Sequence, residues 1–456
     1  MMPRRIKTDT ATPEKPSWRE YQDGLKWSAA KKKIINAFLK YSVLAFLLFV
    51  AGYGITSGLG GKSFSHLATE YFPPSNDGHS FDKKTVQALL NDASFVNLKK
   101  KSFDFVSNDH NFRVETSLNI ELQNYLLSKL NTSTARYIGI VAMDPADGKI
   151  LSMVSFNKVD PSDNPCLDNR FPAASIFKIV TATAAIEKYG FSSNHVFTYN
   201  GMKHTLYKSQ LRERKNRYTN RITFKDAFAQ SVNPVFGKIG SLYLGKDTIE
   251  EYAKAFGFNR DINFEIIVDP SCVALSDKPY QWAEIACGFN NKTKMSPIHG
   301  AMMASAAINQ GQILEPSIVN RIVNDKGRII YNGKLVPMSQ AMAPSASQTL
   351  NRLMATTIKS GTGRKAFRRY RRDKILSRLN IGGKTGSIDN KTHDARYDWF
   401  VGFAEEKKAG KKIALSVIVA HEKYIGLRAS YYARIAMKKY FKDTFKKNRD
   451  LANKAG

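Results

Sequence analysis

The chain has 456 residues, a formal net charge of +31 and 43% hydrophobic residues. This length allows two or three domains, or one large domain with appendages, and the composition can build a sizeable core. Three cysteines without C-x-x-C spacing exclude the common zinc ribbons and a disulfide framework, but leave one disulfide plus a free thiol open: Cys166, Cys272 and Cys287. The charge indicates an anionic partner, which is nucleic acid, acidic lipid or an acidic polymer.

The first part of the chain predicts a basic tail and a membrane anchor. Residues 1–40 carry ten Lys or Arg against four Asp or Glu, and the 20 residues from 41 to 60 carry no charge. As a helix, 20 residues reach about 30 Å, which is one hydrocarbon thickness. The positive-inside rule places the tail in the cytoplasm and everything after the transmembrane helix, 41–61, outside. A buried core helix and a cleaved signal peptide are the alternatives. An extracytoplasmic domain meets little nucleic acid, so we expect no nucleic-acid partner.

The next segments predict a short linker and then one domain. Residues 62–111 are interpreted as a membrane-proximal linker, with helical periodicity in TVQALLNDASFV, 85–96. The domain is predicted to span 112–456. Its first elements are an amphipathic helix over 117–130 and, over 136–155, two strands around a PADG turn.

Helices are predicted to dominate residues 173–310, and strands return near the end of the chain. Three consecutive strands are predicted in IGGKTGS (381–387), YDWFVGFAEE (397–406) and KKIALSVIVAHEK (411–423), before a basic amphipathic helix closes the chain. Strands therefore flank a helical middle, first two and then three. This predicts an α+β fold with an antiparallel five-stranded sheet packed between helices.

One serine and one lysine lie three positions apart in the apolar stretch FPAASIFKIV, 171–180. Side chains three apart on a helix share a face, about 5–6 Å from each other. Ser175 needs a base to become a nucleophile. Burial among apolar groups can lower the pKa of Lys178 enough to make it that base. Alone, S-x-x-K is a weak signal, because a capping serine and a solvent-reaching lysine give the same pattern.

Two further motifs follow in order and strengthen the signal. S-V-N at 231–233 lies 56 residues after Ser175, and K-T-G-S at 384–387 begins 153 residues later. The set S-x-x-K, S-D-N and K-T-G is typical of penicillin-binding proteins and class A β-lactamases. Residues 112–445 resemble the transpeptidase domain of penicillin-binding proteins, also in TSLNIELQ, in the residues around S-V-N, in G-T-G at 361–363 and in DWFVGF. Val232 departs from the aspartate of the family motif.

The resemblance implies roles for the first two motifs. Ser175 would attack the carbonyl of the penultimate D-alanine in a stem peptide, and Lys178 would accept its proton. Ser231 would relay a proton to the departing D-alanine. Asn233 would orient Lys178 and bind a backbone amide of the substrate.

The third motif is implied to bind the substrate. Lys384 would attract the terminal carboxylate, and Thr385 and Ser387 would donate hydrogen bonds to it, with Gly386 on the same strand. The backbone N–H groups of Ser175 and Ser387 would form the oxyanion hole. No metal and no cofactor is expected: His421-Glu422 resembles the start of HExxH, but Ile425 stands where the second histidine belongs.

The function that the resemblance implies is that of a peptidoglycan D,D-transpeptidase, anchored in the bacterial plasma membrane. Its partners would be stem peptides, β-lactam antibiotics, which bind covalently, and a separate glycosyltransferase. A D,D-carboxypeptidase, a β-lactamase and a non-catalytic β-lactam sensor or scaffold are the alternatives. For a β-lactamase, Glu265 and Asp269 are the nearest candidates for a deacylating acid, and neither reproduces the Glu-x-x-x-Asn pattern.

Three features allow both a functional and a structural interpretation. Gly382 and Gly383 are placed just before the strand, where they would admit substrate backbone or relieve packing. The basic stretches 364–374 and 211–221 either bind an anionic glycan, polymer or headgroup or form solvated loops. The closing helix either lies on the membrane or packs on the sheet.

Overall fold

The computed structural model describes residues 81–90, 95–107, 109–390 and 392–455. These residues belong to one compact unit, which begins at residue 79. The predicted tail and transmembrane segment lie outside the described residues. Within the described ranges, no helix is both long and apolar enough to cross a bilayer.

The central sheet is antiparallel and has five strands in the order β13-β14-β15-β3-β4, which confirms the predicted sheet. Its strands are β3 (Ala135–Met143), β4 (Ile150–Asn157), β13 (Leu379–Asp389), β14 (Arg396–Glu406) and β15 (Lys412–His421). The middle strand, β15, is buried at nine of its ten positions because both faces of the sheet are covered. β13 is an edge strand, so one side of its backbone stays open.

The remaining strands form a second sheet and three short ribbons. They are β1 (Ser102–Ser107), β2 (His110–Thr116), β5 (Phe171–Pro172), β6 (Val196–Tyr199), β7 (Asn220–Thr223), β8 (Lys294–Met295), β9 (Gln312–Leu314), β10 (Val319–Asn324), β11 (Ile329–Asn332) and β12 (Pro337–Gln340). β5 pairs with β8, β6 with β7 and β9 with β12.

Helices fill the middle of the chain, as predicted, and also flank it. The described α-helices are α1 (Lys83–Leu89), α2 (Ile120–Ser128), α3 (Lys178–Tyr189), α4 (Phe224–Ala229), α5 (Asn233–Lys238), α6 (Gly245–Ala255), α7 (Pro279–Cys287), α8 (Pro297–Ile308), α9 (Pro344–Lys359) and α10 (Ala429–Ala455). A π-helical segment follows α5 (Ile239–Leu244), and 3₁₀ turns occur at Ala174–Phe177, Lys208–Leu211, Tyr370–Arg372 and Leu376–Arg378.

The two faces of the central sheet are covered by different helices. α8, almost wholly apolar and buried, lies against β15, β14 and β3. On the opposite face, α10 and α2 share one hydrophobic core with the sheet, to which α10 contributes Tyr432, Met437 and Phe441. The prediction that the closing helix packs on the sheet is therefore confirmed for this part of α10.

A four-stranded sheet in the order β1-β2-β10-β11 was not predicted. β2 pairs with β1 along its length and with β10 on its other side, where Glu115 stands opposite Arg321. The predicted boundary between linker and domain at 111/112 falls inside β2, a strand that the sequence did not reveal. The physical reason is that β2 completes its pairing with residues about 200 positions away, which local periodicity does not reveal.

Gly382 and Gly383 lie inside β13, within the strand predicted over 381–387 and not before it. They stand opposite Phe403 and Gly402 of β14. A Cβ added at Gly383 would come 2.4 Å from the ring of Phe400, and one at Gly382 would come 2.5 Å from the ring of Phe403. Both glycines therefore make room for aromatic rings on β14, which is the packing alternative. All three cysteines are free thiols, so the disulfide alternative is wrong.

Candidate active site

Ser175 lies in the 3₁₀ turn that joins β5 to α3. The turn is fixed from outside: the indole N–H of Trp399 donates to Pro172 O at 2.9 Å, and Ala173 N–H donates to Thr293 O at 2.9 Å. Ala174 has a left-handed backbone, with φ of +48°. Such strain persists only where the surroundings over-determine it. Gly288 allows it, because a Cβ there would come 1.8 Å from Ala174 O.

Lys178 is the first residue of α3 and is completely buried. Its Nζ lies 2.9 Å from Ser175 Oγ, 2.8 Å from Asn233 Oδ1 and 2.5 Å from Cys287 O. Burial disfavours the ammonium form and lowers the pKa of Lys178 to about 8. The amine is therefore held against the serine in a setting that favours its neutral form.

Asn233 fixes the other side of this lysine. It begins α5, its Nδ2 donates to His204 O at 3.0 Å, and its Oδ1 is thereby turned towards Lys178. Its own N–H donates to Lys203 O at 2.6 Å. The amide orientation is thus set by the loop before β7, and the role predicted for Asn233 towards Lys178 has the geometry it needs.

Ser231 and Lys384 continue the hydrogen-bonded chain. Ser231 Oγ lies 2.9 Å from Ser175 Oγ, and Lys384 Nζ lies 3.0 Å from Ser231 Oγ. Ser231 lies between α4 and α5 and has a left-handed backbone, with φ of +57°. Burial, followed by repulsion from the ammonium of Lys178, lowers the pKa of Lys384 well below its usual value.

The K-T-G-S segment lies on the open edge of the sheet. Lys407 N–H donates to Arg378 O, so even-numbered residues of β13 turn their N–H groups towards β14. The N–H groups of Thr385 and Ser387 therefore point to the open edge, where the predicted oxyanion hole requires the second of them. At Gly386, an added Cβ would come 3.3 Å from Ser175 N, which brings this edge beside the serine.

Two hydroxyls on this strand have partners that sequence reasoning missed. Thr385 Oγ1 lies 2.5 Å from Thr362 Oγ1, in the loop after α9. Ser387 Oγ donates to the buried carboxylate of Asp398 at 3.1 Å, which also accepts from Arg428 and from Ala429 N–H. The G-T-G resemblance at 361–363 marked this loop but not its contact with Thr385.

His204 and Cys287 were also missed as site residues. Burial, and then the positive charges of Lys178 and Lys384, lower the pKa of His204. Cys287 contributes its backbone carbonyl, for which a sequence carries no side-chain signal. The His204 loop could have been found only through the polar run that precedes S-V-N.

The two acids considered for a β-lactamase are placed elsewhere. The Glu265 carboxylate is buried and accepts from Ser317 Oγ, Tyr331 Oη and Ile318 N–H. Asp269 is exposed. In the described ranges, Ser175 and Lys178 have no hydrogen bond to a carboxylate, and no cluster of three or more His, Cys, Asp or Glu is suited to a metal ion.

Fold and site together define a serine–lysine–serine–lysine centre at the edge of an α+β sheet domain. A family model described as the penicillin binding protein transpeptidase domain matches residues 138–446, which include every predicted site residue. The chain belongs to this family.

Curated relatives are about a quarter identical to the chain, or less, over the residues that align. Stage V sporulation protein D of Bacillus subtilis is 24% identical over 389 residues, which cover 80% of this chain and 57% of the relative. Peptidoglycan D,D-transpeptidase PbpA of Mycobacterium tuberculosis is 22% identical over 319 residues, 61% of each protein. The chain thus spans about three fifths of the length of these relatives.

Solved structures have the same fold at low identity. The D,D-transpeptidase domain of a peptidoglycan glycosyltransferase from Eggerthella lenta has a TM-score of 0.61 at 21% identity, covering 78% of this chain and 87% of that one. The imipenem acyl-enzyme of penicillin-binding protein A from M. tuberculosis has a TM-score of 0.58 at 20% identity, covering 72% and 79%. At this identity, the likeness describes the fold alone.

Proposed function

We propose that this protein is a serine D,D-transpeptidase that cross-links peptidoglycan stem peptides and is acylated by penicillin. The observation that carries the proposal is the chain of hydrogen bonds from Lys384 through Ser231 and Ser175 to Lys178. The names of the relatives support the substrate class, since one is a peptidoglycan D,D-transpeptidase. The imipenem acyl-enzyme of penicillin-binding protein A from M. tuberculosis supports covalent reaction with β-lactams.

Lys178 acts as the base because of what surrounds its amine. Two of its three oxygen neighbours, Asn233 Oδ1 and Cys287 O, can only accept hydrogen bonds. A neutral amine gives them its two N–H groups and keeps its lone pair for the proton of Ser175. An ammonium would instead donate to all three, so the neutral form is the one that activates the serine.

The second lysine takes the positive charge when the substrate binds. Two buried ammonium groups in one site repel each other, so a single proton between Lys178 and Lys384 is favoured. A substrate carboxylate that binds near Lys384 and Thr385 stabilises the proton on Lys384. Substrate binding thereby keeps Lys178 neutral at the moment when the base is needed.

Acylation then requires a proton transfer from Ser175 to Lys178 and another from Ser231 to the leaving amine. Ser175 Oγ bonds to the carbonyl carbon of the penultimate D-alanine, and its proton passes to Lys178. The carbon–nitrogen bond to the terminal D-alanine breaks, its amine takes the proton of Ser231, and Lys384 replaces that proton. The N–H groups of Ser175 and Ser387 stabilise the oxyanion. Attack by the amine of a second stem reverses these transfers and releases the cross-linked product.

The alternatives differ in how the acyl-enzyme ends. Water in place of the amine gives a D,D-carboxypeptidase. A sensor or scaffold keeps the adduct, and a β-lactamase hydrolyses it rapidly. The hydrogen bonds that occupy Glu265 count against the β-lactamase, because this acid is not free to activate water.

We further propose that residues 41–61 anchor the protein in the plasma membrane of a bacterium, with the tail in the cytoplasm and the domain outside. The support is the uncharged span and the basic residues before it. A separate glycosyltransferase as partner stays a prediction from the sequence.

The test uses the full chain in detergent. Fluorescent penicillin reports formation of the acyl-enzyme. Two donor stem peptides, of which one also carries an acceptor amine, report cross-linking and hydrolysis. We expect a long-lived adduct that Ser175→Ala abolishes, and a cross-linked product. An adduct lost within seconds would assign a β-lactamase. Hydrolysed donor peptide without cross-linked product would assign a carboxypeptidase. Absence of a penicillin adduct would leave the non-catalytic scaffold as the remaining alternative.

A further inference from the structure

A cluster of basic side chains lies beside the candidate active site and takes no part in the mechanism above. We call it the arginine strip. It comprises Arg364, Lys365, Arg368, Arg369, Arg371, Arg372 and Lys374, each of which is exposed. In the part of the chain that the structure describes, none of the seven forms an ion pair, because the acid of this segment, Asp373, is taken by Lys438 at 2.6 Å.

The backbone of the strip is ordered. Consecutive tight turns run through it, including Arg364 N–H to Gly361 O at 3.1 Å and Arg372 N–H to Arg369 O at 2.9 Å. Phe367 is buried against Phe400, with ring centroids 5.7 Å apart. Arg434 of α10 donates to Ala366 O at 3.0 Å. The charges are therefore held on a fixed scaffold, so that a ligand would bind them without first ordering a loop.

The position of the strip ties it to the mouth of the site. The segment begins two residues after Thr362, whose hydroxyl contacts Thr385 on the edge strand. Phe367 and Thr385 lie on the same face of the sheet, since Phe400, which packs under Phe367, stands opposite Thr385. A polymer bound to the strip would consequently pass next to the place where substrate carboxylates bind.

The chemistry of the strip points to phosphate. Five of the seven basic residues are arginine, whose planar fork matches two phosphate oxygens, whereas lysine offers a point charge. Unpaired like charges repel one another in the free protein, and an anionic ligand removes that repulsion. The strip also exposes no large apolar side chain, unlike helices that insert into a lipid surface.

We infer that the arginine strip binds a linear polymer of repeating phosphate groups and holds it alongside the active-site edge. The inference does not rest on the proposed acyl transfer. The expected ligand is distinguished from a carboxylate polymer by the geometry of its phosphate groups, and from a bilayer by its linear array of charges.

The experiment measures binding of fluorescent inorganic polyphosphate to the full chain in detergent. The strip variant replaces four arginines by glutamine: Arg364→Gln, Arg368→Gln, Arg371→Gln and Arg372→Gln. A charge-matched control replaces four exposed basic residues remote in sequence: Lys326→Gln, Arg328→Gln, Lys334→Gln and Lys408→Gln. We expect the strip variant to bind at least about tenfold more weakly, with the salt slope reduced by about three for four lost contacts. The control should change by less than about threefold.

Three results would overturn the inference. Equal weakening in both variants would mean that only net charge matters. Equally tight binding of polyglutamate would remove the preference for phosphate. Binding of the strip to phosphatidylglycerol vesicles but not to polyphosphate would assign a lipid surface. Penicillin acylation of Ser175 should remain at the native rate in the strip variant, so failure here is distinguishable from failure of the proposed activity.

Discussion

The hydroxyls of Thr362 and Thr385 lie 2.5 Å apart, across the gap between the loop after α9 and the edge strand β13. Thr362 is fixed by its own N–H, which donates to Ala229 O at 3.0 Å. If Thr362 donates to Thr385, the proton of Thr385 is free for a substrate carboxylate. The Thr362 hydroxyl has a second acceptor for its single proton, Ala229 O at 3.3 Å, but its contact with Thr385 is the shorter one. We therefore expect Thr362 to be a positioning residue that sets the direction in which Thr385 donates.

Replacing Thr362 by valine should weaken carboxylate binding and leave the chemistry intact. Loss of one such hydrogen bond costs about 1 kcal/mol, or roughly fivefold in affinity. Stopped-flow acylation with penicillin would show this as a weaker pre-covalent complex at an unchanged limiting rate, with rescue by Thr362→Ser. A fall in the limiting rate alone, or no rescue by serine, would contradict the positioning role.

The rate of acylation should rise with pH, because the base must be neutral. Burial lowers the pKa of Lys178 to about 8. Below that pH most of the protein carries a protonated Lys178, which cannot accept the proton of Ser175. The apparent second-order rate constant for penicillin should increase about tenfold per pH unit well below the midpoint near 8, and should fall again at higher pH, where Lys384 loses the proton that acylation requires. The measurement is acylation between pH 6 and 9.5.

Two variants test whether this pH profile reports the titration of Lys178. His204→Gln should keep the midpoint near 8, because burial lowers the pKa of His204 from its ordinary value of 6.5, further away from that midpoint. Lys178→Arg should be inactive throughout, since a guanidinium does not lose its proton. A rate that stays flat from pH 6 to 9 would argue against Lys178 as the base.

At Ser387, the contribution of the backbone N–H to acylation can be separated from that of the side-chain hydroxyl. Its hydroxyl is engaged by Asp398, whereas its N–H points to the open edge of β13. Ser387→Ala should therefore acylate within about threefold of the native rate and lose about 1 kcal/mol of stability. Ser387→Pro removes the N–H at a position where an edge strand tolerates proline, and should slow acylation by about 10²–10³-fold.

Melting temperatures of both variants would show whether they fold. If the alanine variant is acylated as slowly as the proline variant, the hydroxyl of Ser387 and not its N–H is the important group. A fully active proline variant would exclude Ser387 from the oxyanion hole.

The sequence predicted what local patterns encode and missed what distant pairing creates. Four strands of the central sheet could be located by their apolar residues, and the fifth, β13, by the K-T-G-S motif. The order of the three motifs indicated which strands and helices meet. Thr362 and Cys287 could not be found in this way, because one acts through a partner 23 residues away and the other through its carbonyl. β1 and β2 alternate weakly, and their partner β10 lies about 200 residues on.

That missed sheet predicts where the domain can be cut. A chain that begins at residue 79 keeps β1, β2 and α1, whose Lys83 is buried against Glu315 at 3.0 Å. A chain that begins at residue 112 loses β1 and the first two residues of β2, but keeps the residues of β2 that pair with β10, so it exposes the edge of β2 that β1 covers. We expect the shorter chain to melt at least about 5 °C lower or to aggregate, as measured by scanning calorimetry and size-exclusion chromatography. Equal stability of both chains would restore the boundary at 112.

His299 should make the protein sensitive to acid. Its imidazole is completely buried in α8, contacts the ring of Phe258 and hydrogen-bonds Phe256 O at 2.7 Å. Burial lowers its pKa from 6.5 to about 4. Between these values the unfolded chain binds the proton and the folded chain does not, so stability is lost as pH falls from about 6.5 towards 4.

From pH 7 to pH 5 this single group should cost about 2 kcal/mol of unfolding free energy. His299→Gln keeps an N–H for Phe256 O but does not titrate. Denaturant unfolding at both pH values should therefore show a smaller loss for the variant than for the native chain, although the variant is less stable at pH 7. Carboxylates contribute equally to both proteins and cancel in this difference. Parallel losses in the two proteins would mean that His299 is not the acid-sensitive group.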